Sequence, residues 1–284
     1  MQAISDNVFI EDAYPGVVLG VIARPRGLIQ LDAPPSPEDG RSWRASLMNL
    51  NSGPERVLVN IDSHPDRTFG ARTMDCTIIA NEKTAAIFRS RPSTFKAQGD
   101  ETGAYWESIP GLGSVRWAAP EISFMQQLTL YWGDGPVHLE SHPGPTAGAI
   151  WIILPEEKIV FVGDAVLKHQ PPFLANANLD HWLENLELLL SPAYKGYTVV
   201  SSRGGVVTTA MVRAQYELTE LINDKLNKLA AKKSPSSATE KLVESLSSGF
   251  KAPAARHKQF TQRLRYGLQH YYARHYHPGQ SNEE

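Results

Sequence analysis

Short apolar runs alternate with longer amphipathic stretches along the chain, and their periods predict an order of strands and helices. Apolar and β-branched runs separated by turn residues are typical of strands. Arg24-Pro25-Arg26 separates the first two runs and predicts a hairpin. The predicted strands are 16–23, 27–32, 56–60, 77–80, 128–132, 136–140, 148–154, 158–163 and 197–201.

Helices are predicted from capping residues and from apolar positions at a spacing of 3.6. Ser36 precedes Pro37 and an acidic residue follows at Asp39, which is the signature of a helix start. The predicted helices are 43–50, one beginning near Glu82, 179–190, 208–231, 238–248 and 254–276. The two β-rich halves each end in helices, so the predicted fold class is α/β, with two sheets packed face to face and helices outside.

Changes in composition along the chain predict its organisation. Residues 1–231 are expected to form one domain, and Lys232-Lys-Ser-Pro-Ser-Ser237 has linker chemistry and opens a C-terminal helical extension, 232–284. Residues 91–113 are rich in Pro, Gly and Ser and are predicted to be a surface insertion. Its aromatic residues could cover a pocket or simply pack the insertion onto the domain; they are Phe95, Tyr105 and Trp106.

Composition and charge narrow the classes of function. The chain has 284 residues, of which 42% are hydrophobic, and a formal net charge of -2, so we expect no bulk attraction to nucleic acid or to an anionic membrane. No apolar run is long enough to span a bilayer. Cys76 is the only cysteine, which excludes an intramolecular disulfide and favours a cytoplasmic location.

Polar residues cluster where three of the predicted strands end. The first cluster, Asp62-Ser-His64-Pro-Asp66-Arg67, follows an apolar run, and alternate residues at a strand end point to one side. Gly163-Asp164 and Ser201-Ser-Arg203 end two later strands. Polar groups carried by several strand ends are typical of a site built on a rigid sheet.

In these residues, from about 16 to 225, the chain resembles the metallo-β-lactamase fold superfamily. The family's first motif, His-x-His-x-Asp-His followed by Gly, corresponds to residues 62–67 with Gly70. Its Pro-Gly-His-Thr-x-Gly motif corresponds to 143–148, its Gly-Asp motif to 163–164, and its Gly-His-Gly motif to 202–204. The resemblance implies a four-layer αββα sandwich, with the C-terminal helices as an addition, and a zinc or iron hydrolase as the commonest activity.

The metal ligands depart from the family pattern. Arg67 and Arg203 stand where the family has histidines, and a guanidinium has no lone pair to give a metal. Pro145 replaces a third histidine. A binuclear centre is therefore not expected. A site for at most one divalent ion stays open, with Asp62, His64 and Asp164 as ligands and His142 or His169 as extra donors.

Two functions follow as hypotheses, and whether the protein is an enzyme stays open. One is a divergent hydrolase that acts on a small ester-like or anionic substrate, with His64 and Asp66 as catalytic groups. The other is a metal-free pseudoenzyme or ligand-binding protein, in which Arg67 and Arg203 bind an anionic ligand. The arginines could also form plain buried ion pairs with aspartates.

The last predicted helix carries an apolar stripe and a basic face. The stripe comprises Phe260, Leu264, Leu268, Tyr271, Tyr272 and His275. It packs either on its own domain or on a second copy, and a homodimer through the C-terminal helices is the expected partner arrangement. An RNA contact is a weaker alternative, so the expected partners are a small molecule and a second copy, without nucleic acid or membrane.

Overall fold

The computed structural model describes residues 1–91, 101–109, 112, 115–250 and 253–276, with the side chains of 254 and 255 excepted. Part of the predicted insertion, including Phe95, therefore lies outside the described residues. The strands form two mixed sheets, one of seven strands and one of six.

The seven-stranded sheet takes its strands in chain order. They are β1 (Gln2–Ser5), β2 (Val8–Glu11), β3 (Leu19–Ala23), β4 (Gly27–Leu31), β5 (Glu55–Val59), β6 (Thr77–Asn81) and β7 (Ile122–Phe124). The first four pair antiparallel and the last four pair parallel. Parallel pairing brings the carboxyl ends of β4 and β5 to one edge of the sheet, which places the loops after them side by side.

The six-stranded sheet begins as an antiparallel meander. Its strands are β8 (Gln127–Tyr131), β9 (Pro136–Ser141), β10 (Ile150–Leu154), β11 (Ile159–Phe161), β12 (Thr198–Ser201) and β13 (Gly205–Val207). β11 and β12 pair parallel, with Phe161 opposite Val200. The loops that follow these two strands therefore also leave the sheet together.

The α-helices flank the sheets. They are α1 (Pro37–Leu47), α2 (Glu82–Ser90), α3 (Leu179–Leu190), α4 (Thr209–Ala231), α5 (Glu240–Ser247) and α6 (Ala254–Tyr276). The start predicted at Ser36 is confirmed, because its hydroxyl accepts a hydrogen bond from the Asp39 amide. Among the described residues, no helix is long and apolar enough to cross a membrane.

Three apolar layers hold the fold together. Ile29 and Val59 of the first sheet belong to one buried cluster with Ile152 and Phe161 of the second, so the sheets pack face to face. A second cluster joins the outer face of the first sheet to α1. A third joins the outer face of the second sheet to α3, α4, α5 and α6. The predicted αββα sandwich with extra C-terminal helices is confirmed.

Four short strands were not predicted from the sequence: β1, β2, β7 and β13. Each has only three or four residues, and β1 has two exposed and two half-buried residues. Such segments are too short to show a period of two, and they are ordered by pairing with neighbouring strands.

The C-terminal apolar stripe packs within its own chain. Leu264, Leu268 and Tyr272 are fully buried, and they lie in the same cluster as residues of the second sheet and α4. The homodimer therefore loses the apolar surface that suggested it and stays a prediction without that support. The division at 231 also stays a prediction, although the extension shares its core with the sandwich.

Candidate functional site

Loops at the ends of four strands bring the site together. Asp32 follows β4, Asp62 follows β5, Asp164 follows β11 and Arg203 follows β12. Gly163 has a φ of +60°, and a Cβ there would lie 2.7 Å from Cγ2 of Ile61, so glycine is required just before Asp164.

Asp32 braces the loop that carries the first motif. Its Oδ1 accepts a hydrogen bond of 2.9 Å from the amide of Ile61. Asp32 itself has a φ of 61°, a left-handed conformation that aspartate tolerates better than most residues. This contact is buried, so it fixes the path of the backbone into Asp62 and His64.

Arg67 lies at the centre of three carboxylates. Its Nε is 3.1 Å from Oδ2 of Asp32, its Nη1 donates to Asp164 and its Nη2 donates to Asp62. The exposed fraction of Arg67 is 0%, so no solvent reaches this guanidinium. Its positive charge therefore lies between Asp164, which belongs to the Gly-Asp motif, and the carboxylates of Asp62 and Asp32.

Arg203 makes a second set of ion pairs beside the first. Its Nη1 and Nη2 donate to the two oxygens of Asp66, at 2.6 and 3.1 Å, and its Nε donates to Oδ2 of Asp164 at 2.9 Å. Nη1 also donates to the Gly16 carbonyl at 3.1 Å. Asp164 thus joins both arginines into one ionic network.

His64 lies at the top of this network. Its ring Nδ1 is 2.9 Å from Oδ2 of Asp62, and its amide donates to Oδ1 of the same carboxylate. The ring packs against Phe173, with 5.0 Å between centroids, and lines a cavity. His64 is therefore the one residue of the first motif's metal set that also faces the space above the network.

The balance of charge is reflected in the pKa values. Burial alone would raise the pKa of Asp62 and Asp164, but the adjacent guanidiniums and His64 outweigh it and hold both pKa values below their usual range. For Asp32, burial and the neighbouring carboxylates outweigh Arg67 and raise its pKa to about 8. At neutral pH, Asp62 and Asp164 are therefore ionised.

The three proposed metal ligands lie close together, but the carboxylate oxygens among them already accept hydrogen bonds from the protein. Ligand atoms of Asp62, His64 and Asp164 all lie within 4.8 Å of one another. Each carboxylate oxygen of the two aspartates nevertheless has a donor from Arg67, Arg203 or His64. A divalent cation would have to displace Arg67, so this arrangement does not fit the family's metal centre.

The extra histidine donors do not reach this group. His142 stacks on Trp151 at 3.8 Å between ring centroids, and its Nδ1 is 2.8 Å from Oδ1 of Asn185. His169 is exposed in a loop. Neither belongs to the metal-ligating group found among the described residues.

The residues predicted to be catalytic or to bind substrate lie mostly in the buried ionic network. Asp66, predicted to be catalytic, is 1% exposed and has both oxygens paired with Arg203. Arg67 and Arg203, predicted to bind substrate, do not line the cavity above His64. This arrangement does not support those roles, because groups that are buried and fully paired are not presented to a ligand.

The cavity above His64 has a volume of about 190 Å³ and is partly closed by α6. Its lining includes Arg91, Trp106, Phe173, Arg263 and Tyr266. Trp106 is one of the aromatic residues that, from the sequence, could cover a pocket, whereas the other four were not singled out from the sequence as ligand-binding residues. One signal was available for Arg263: it lies three residues after Phe260 and one before Leu264, inside the apolar stripe, where a charged residue is unusual.

Comparisons with known proteins agree with this architecture. A family model described as "Metallo-beta-lactamase superfamily" matches residues 63–201. Over these residues the chain is similar to the metallo-β-lactamase superfamily. No curated protein sequence matches the chain.

Solved structures share the fold at low sequence identity. A metallo-beta-lactamase from Pontibacter korlensis is 20% identical, with a TM-score of 0.59 over 77% of this chain and 97% of that one. The DIM-1 metallo-beta-lactamase is 17% identical, with a TM-score of 0.59 over 78% and 96%. A double mutant of the sec-alkyl sulfatase PisA1 is 14% identical, with a TM-score of 0.64 over 99% of this chain and 52% of that chain.

Proposed function

We propose that this chain is a metal-independent member of the superfamily that binds a small organic ligand in the cavity above His64. One observation carries the proposal: the Arg67 guanidinium is fully buried between Asp32, Asp62 and Asp164. A fixed guanidinium supplies the positive charge that these carboxylates need, and it occupies the place where a metal ion would bind them.

Electrostatics favours this assignment over a mononuclear metal site. A divalent ion next to Arg67 would meet a repulsion of roughly 8 kcal/mol at 4 Å and an effective dielectric near 20. Displacing Arg67 would instead leave its guanidinium without carboxylate partners in a buried position, which is also unfavourable. Either route makes metal uptake costly.

The direct test is elemental analysis of untagged protein purified without chelator. We expect far less than one metal ion per chain, both as purified and after dialysis against Zn²⁺, Mn²⁺, Fe²⁺ or Mg²⁺. Retention of about one ion per chain would contradict the proposal and restore the mononuclear hydrolase.

A second candidate is metal-free hydrolysis by the Asp62–His64 pair. With the Nδ1 proton donated to Oδ2 of Asp62 at 2.9 Å, the other ring nitrogen is left as a base in a residue that lines the cavity. The fold likeness to metallo-beta-lactamases and to a sec-alkyl sulfatase supports a hydrolytic reaction class. The substrate would need to be reactive, because no metal lowers the pKa of the attacking water.

This candidate predicts a measurable esterase activity. Hydrolysis of 4-nitrophenyl acetate should fall by roughly 10²- to 10⁴-fold in His64→Ala, the usual contribution of a general base. Arg89→Gln, an exposed change on α2, is the matched control and should leave the rate unchanged. A wild-type rate equal to that of His64→Ala would leave ligand binding as the only function of the cavity.

A further inference from the structure

Two arginines line the cavity without a carboxylate partner. Arg91 follows α2 and Arg263 lies in α6, so widely separated segments bring them to the same space. Neither takes part in an ion pair with a described residue, whereas Arg67 and Arg203 each pair with at least two carboxylates. The cavity therefore has two cationic groups that make no direct contact with a carboxylate of the described residues.

Arg263 is the more deeply buried of the two. It is 3% exposed, and its hydrogen bonds go to neutral acceptors: Gln170 Oε1 at 2.9 Å and the carbonyls of Pro171 and Gly103, both at 3.2 Å. Its guanidinium lies 4.0 Å from the centroid of the Phe173 ring. Burial, together with the positive charge of Arg203, lowers the pKa of Arg263 to about 9.

The Nη2 of Arg263 makes no hydrogen bond to any residue that the structure describes. Gly267, one turn later, keeps α6 close to the cavity wall, since a Cβ there would lie 3.1 Å from Cβ of Leu174. The position of Arg263 is thus set by packing of the helix, not by attraction to a counter-charge.

Arg91, which follows α2, likewise contacts a carbonyl and an aromatic ring and has no carboxylate partner among the described residues. Its Nη2 donates to the Ser63 carbonyl at 2.9 Å, and its guanidinium lies 4.3 Å from the centroid of the Trp117 ring. Its Nη1 is buried and has no hydrogen-bond partner in the described part of the chain. Burial lowers the pKa of Arg91 to about 10.

A third polar group at the cavity also lacks a partner. Thr146 is 7% exposed, and its hydroxyl is buried with no hydrogen bond to a described residue. A buried donor without an acceptor, and a buried cation without an anion, are both costly. All three groups line the same cavity, so an acceptor-rich anion bound there would lie among hydrogen-bond donors.

We propose that the cavity binds a small organic acid whose oxyanion head group is held by Arg91 and Arg263. The head group is a carboxylate or a phosphate or sulfate monoester, because the guanidinium fork matches oxygen pairs of this kind. The apolar body lies against Phe173 and Trp106, which line the same space. This inference rests on the proposed metal-independent function, and it assigns the anion to arginines other than Arg67 and Arg203.

Calorimetric titration with defined probes tests this site. The anionic probes are benzoate, phenyl phosphate and phenyl sulfate, and benzyl alcohol is the neutral probe of similar shape. We expect at least one anion to bind the wild-type chain at least about tenfold more tightly than benzyl alcohol, as the loss of a charge-assisted hydrogen bond predicts. Whichever head group binds best identifies the ligand class.

Substitutions separate this site from the ionic network below it. Arg91→Gln and Arg263→Gln should each weaken the bound anion by at least about tenfold. Arg89→Gln and Arg265→Gln are the matched controls, because both arginines are exposed and pair with glutamates outside the cavity. Circular dichroism melts verify that each variant is folded. If Arg263→Gln fails to fold, Arg91→Gln decides, since Arg91 is only half-buried at the end of a helix.

The outcomes distinguish this inference from the function on which it rests. The inference is overturned if no anion binds the wild-type chain, if benzyl alcohol binds equally well, or if Arg91→Gln binds as tightly as Arg89→Gln. None of these results would affect metal independence, which the metal content of the same sample measures. Conversely, one metal ion per chain would refute metal independence, while the effect of Arg91→Gln would still report where the anion binds.

Discussion

Two pairs of arginines lie within the same site, and they differ in what surrounds their charges. Arg67 and Arg203 lie under His64, where four aspartates compensate them. Arg91 and Arg263 line the cavity above, where their partners are carbonyls, an amide and aromatic rings. We interpret a buried arginine as structural when carboxylates of the fold compensate its charge, and we propose that an arginine without such carboxylates is available to a ligand.

The largest expected effect is on stability, and it separates the two pairs. Arg67→Met leaves the buried Asp62 without its guanidinium and leaves Asp164 with Arg203 alone, so we expect a loss of about 3–5 kcal/mol in the free energy of unfolding. Arg263→Met removes only bonds to neutral acceptors, and its loss should be about 1–3 kcal/mol. Urea unfolding measures both.

If Arg67→Met and Arg263→Met lose the same free energy of unfolding, carboxylate partners do not make Arg67 more important for stability than Arg263. If Arg67→Met yields no folded protein, Arg67→Lys keeps the charge but not the three-way contact. It should then be folded and less stable than the wild type.

The next largest effect is on Zn²⁺ binding, and it tests whether Arg67 and Arg203 prevent metal uptake. Arg67→His together with Arg203→His restores two histidines of the family motifs and removes both fixed positive charges. We expect this variant to take up about one Zn²⁺ per chain and to gain roughly 2.7 kcal/mol of stability at a Zn²⁺ concentration one hundred times its Kd. Thermal melts with and without Zn²⁺ measure the gain.

The wild-type chain is the control for this gain and should not respond to Zn²⁺ at the same concentration. Zinc uptake by the wild type, or none by the double variant, would show that the arginines do not decide whether metal binds.

Acid should weaken the ion pairs that Arg67 and Arg203 form with Asp62 and Asp164. The pKa of Asp164 falls from its ordinary value of 3.8 to about 2, because Arg203 and Arg67 outweigh the effect of burial. Its contribution is therefore fully present above pH 3.8 and is lost as pH falls towards 2, at about 1.4 kcal/mol for each pKa unit. Asp62, whose pKa is also lowered, acts with the same sign.

Urea unfolding at a series of pH values measures this loss, and salt supplies its control. Because the network is buried, 1 M NaCl (a Debye length of about 3 Å) should leave the slope between pH 4 and pH 2 nearly unchanged. A slope that disappears in salt would mean that exposed charges cause it.

The smallest expected effect comes from an exposed ion pair between α5 and α6, the helix that carries Arg263. Arg265 donates to Glu240 at 2.7 Å, and both side chains are more than two-fifths exposed. Arg265→Gln should change the free energy of unfolding by only about 0.2–1 kcal/mol. A larger loss would show that the contact between α5 and α6 depends on charge as well as on its apolar core.

Much of the architecture could be predicted because local signals agreed with the tertiary fold. The helices at 179–190 and 254–276 have the predicted bounds, since long amphipathic periods are strong signals. β1, β2 and β13 were missed because three or four residues carry little periodicity. The convergence of Asp62, Asp164 and Arg203 could be expected because each follows a strand in a motif of known order.

The sequence predicted which residues of the motifs form the site better than it predicted what each residue does there. Residue types alone allowed Arg67 and Arg203 to be ligand-binding groups or buried ion pairs, and only the tertiary structure shows the carboxylates with which both arginines pair. Arg263 is separated from His64 by about two hundred positions in sequence. No local pattern connects them, so the cavity that they share could not be inferred.

The sequence by itself determined the resemblance to the superfamily, the two-sheet sandwich and the absence of histidine at positions 67, 145 and 203, because motifs and periodicity are properties of neighbouring residues. The tertiary structure alone decided which arginines have carboxylate partners and which face a cavity. The physical reason is that the state of a buried charge depends on counter-charges within a few ångströms, and these come from distant parts of the chain.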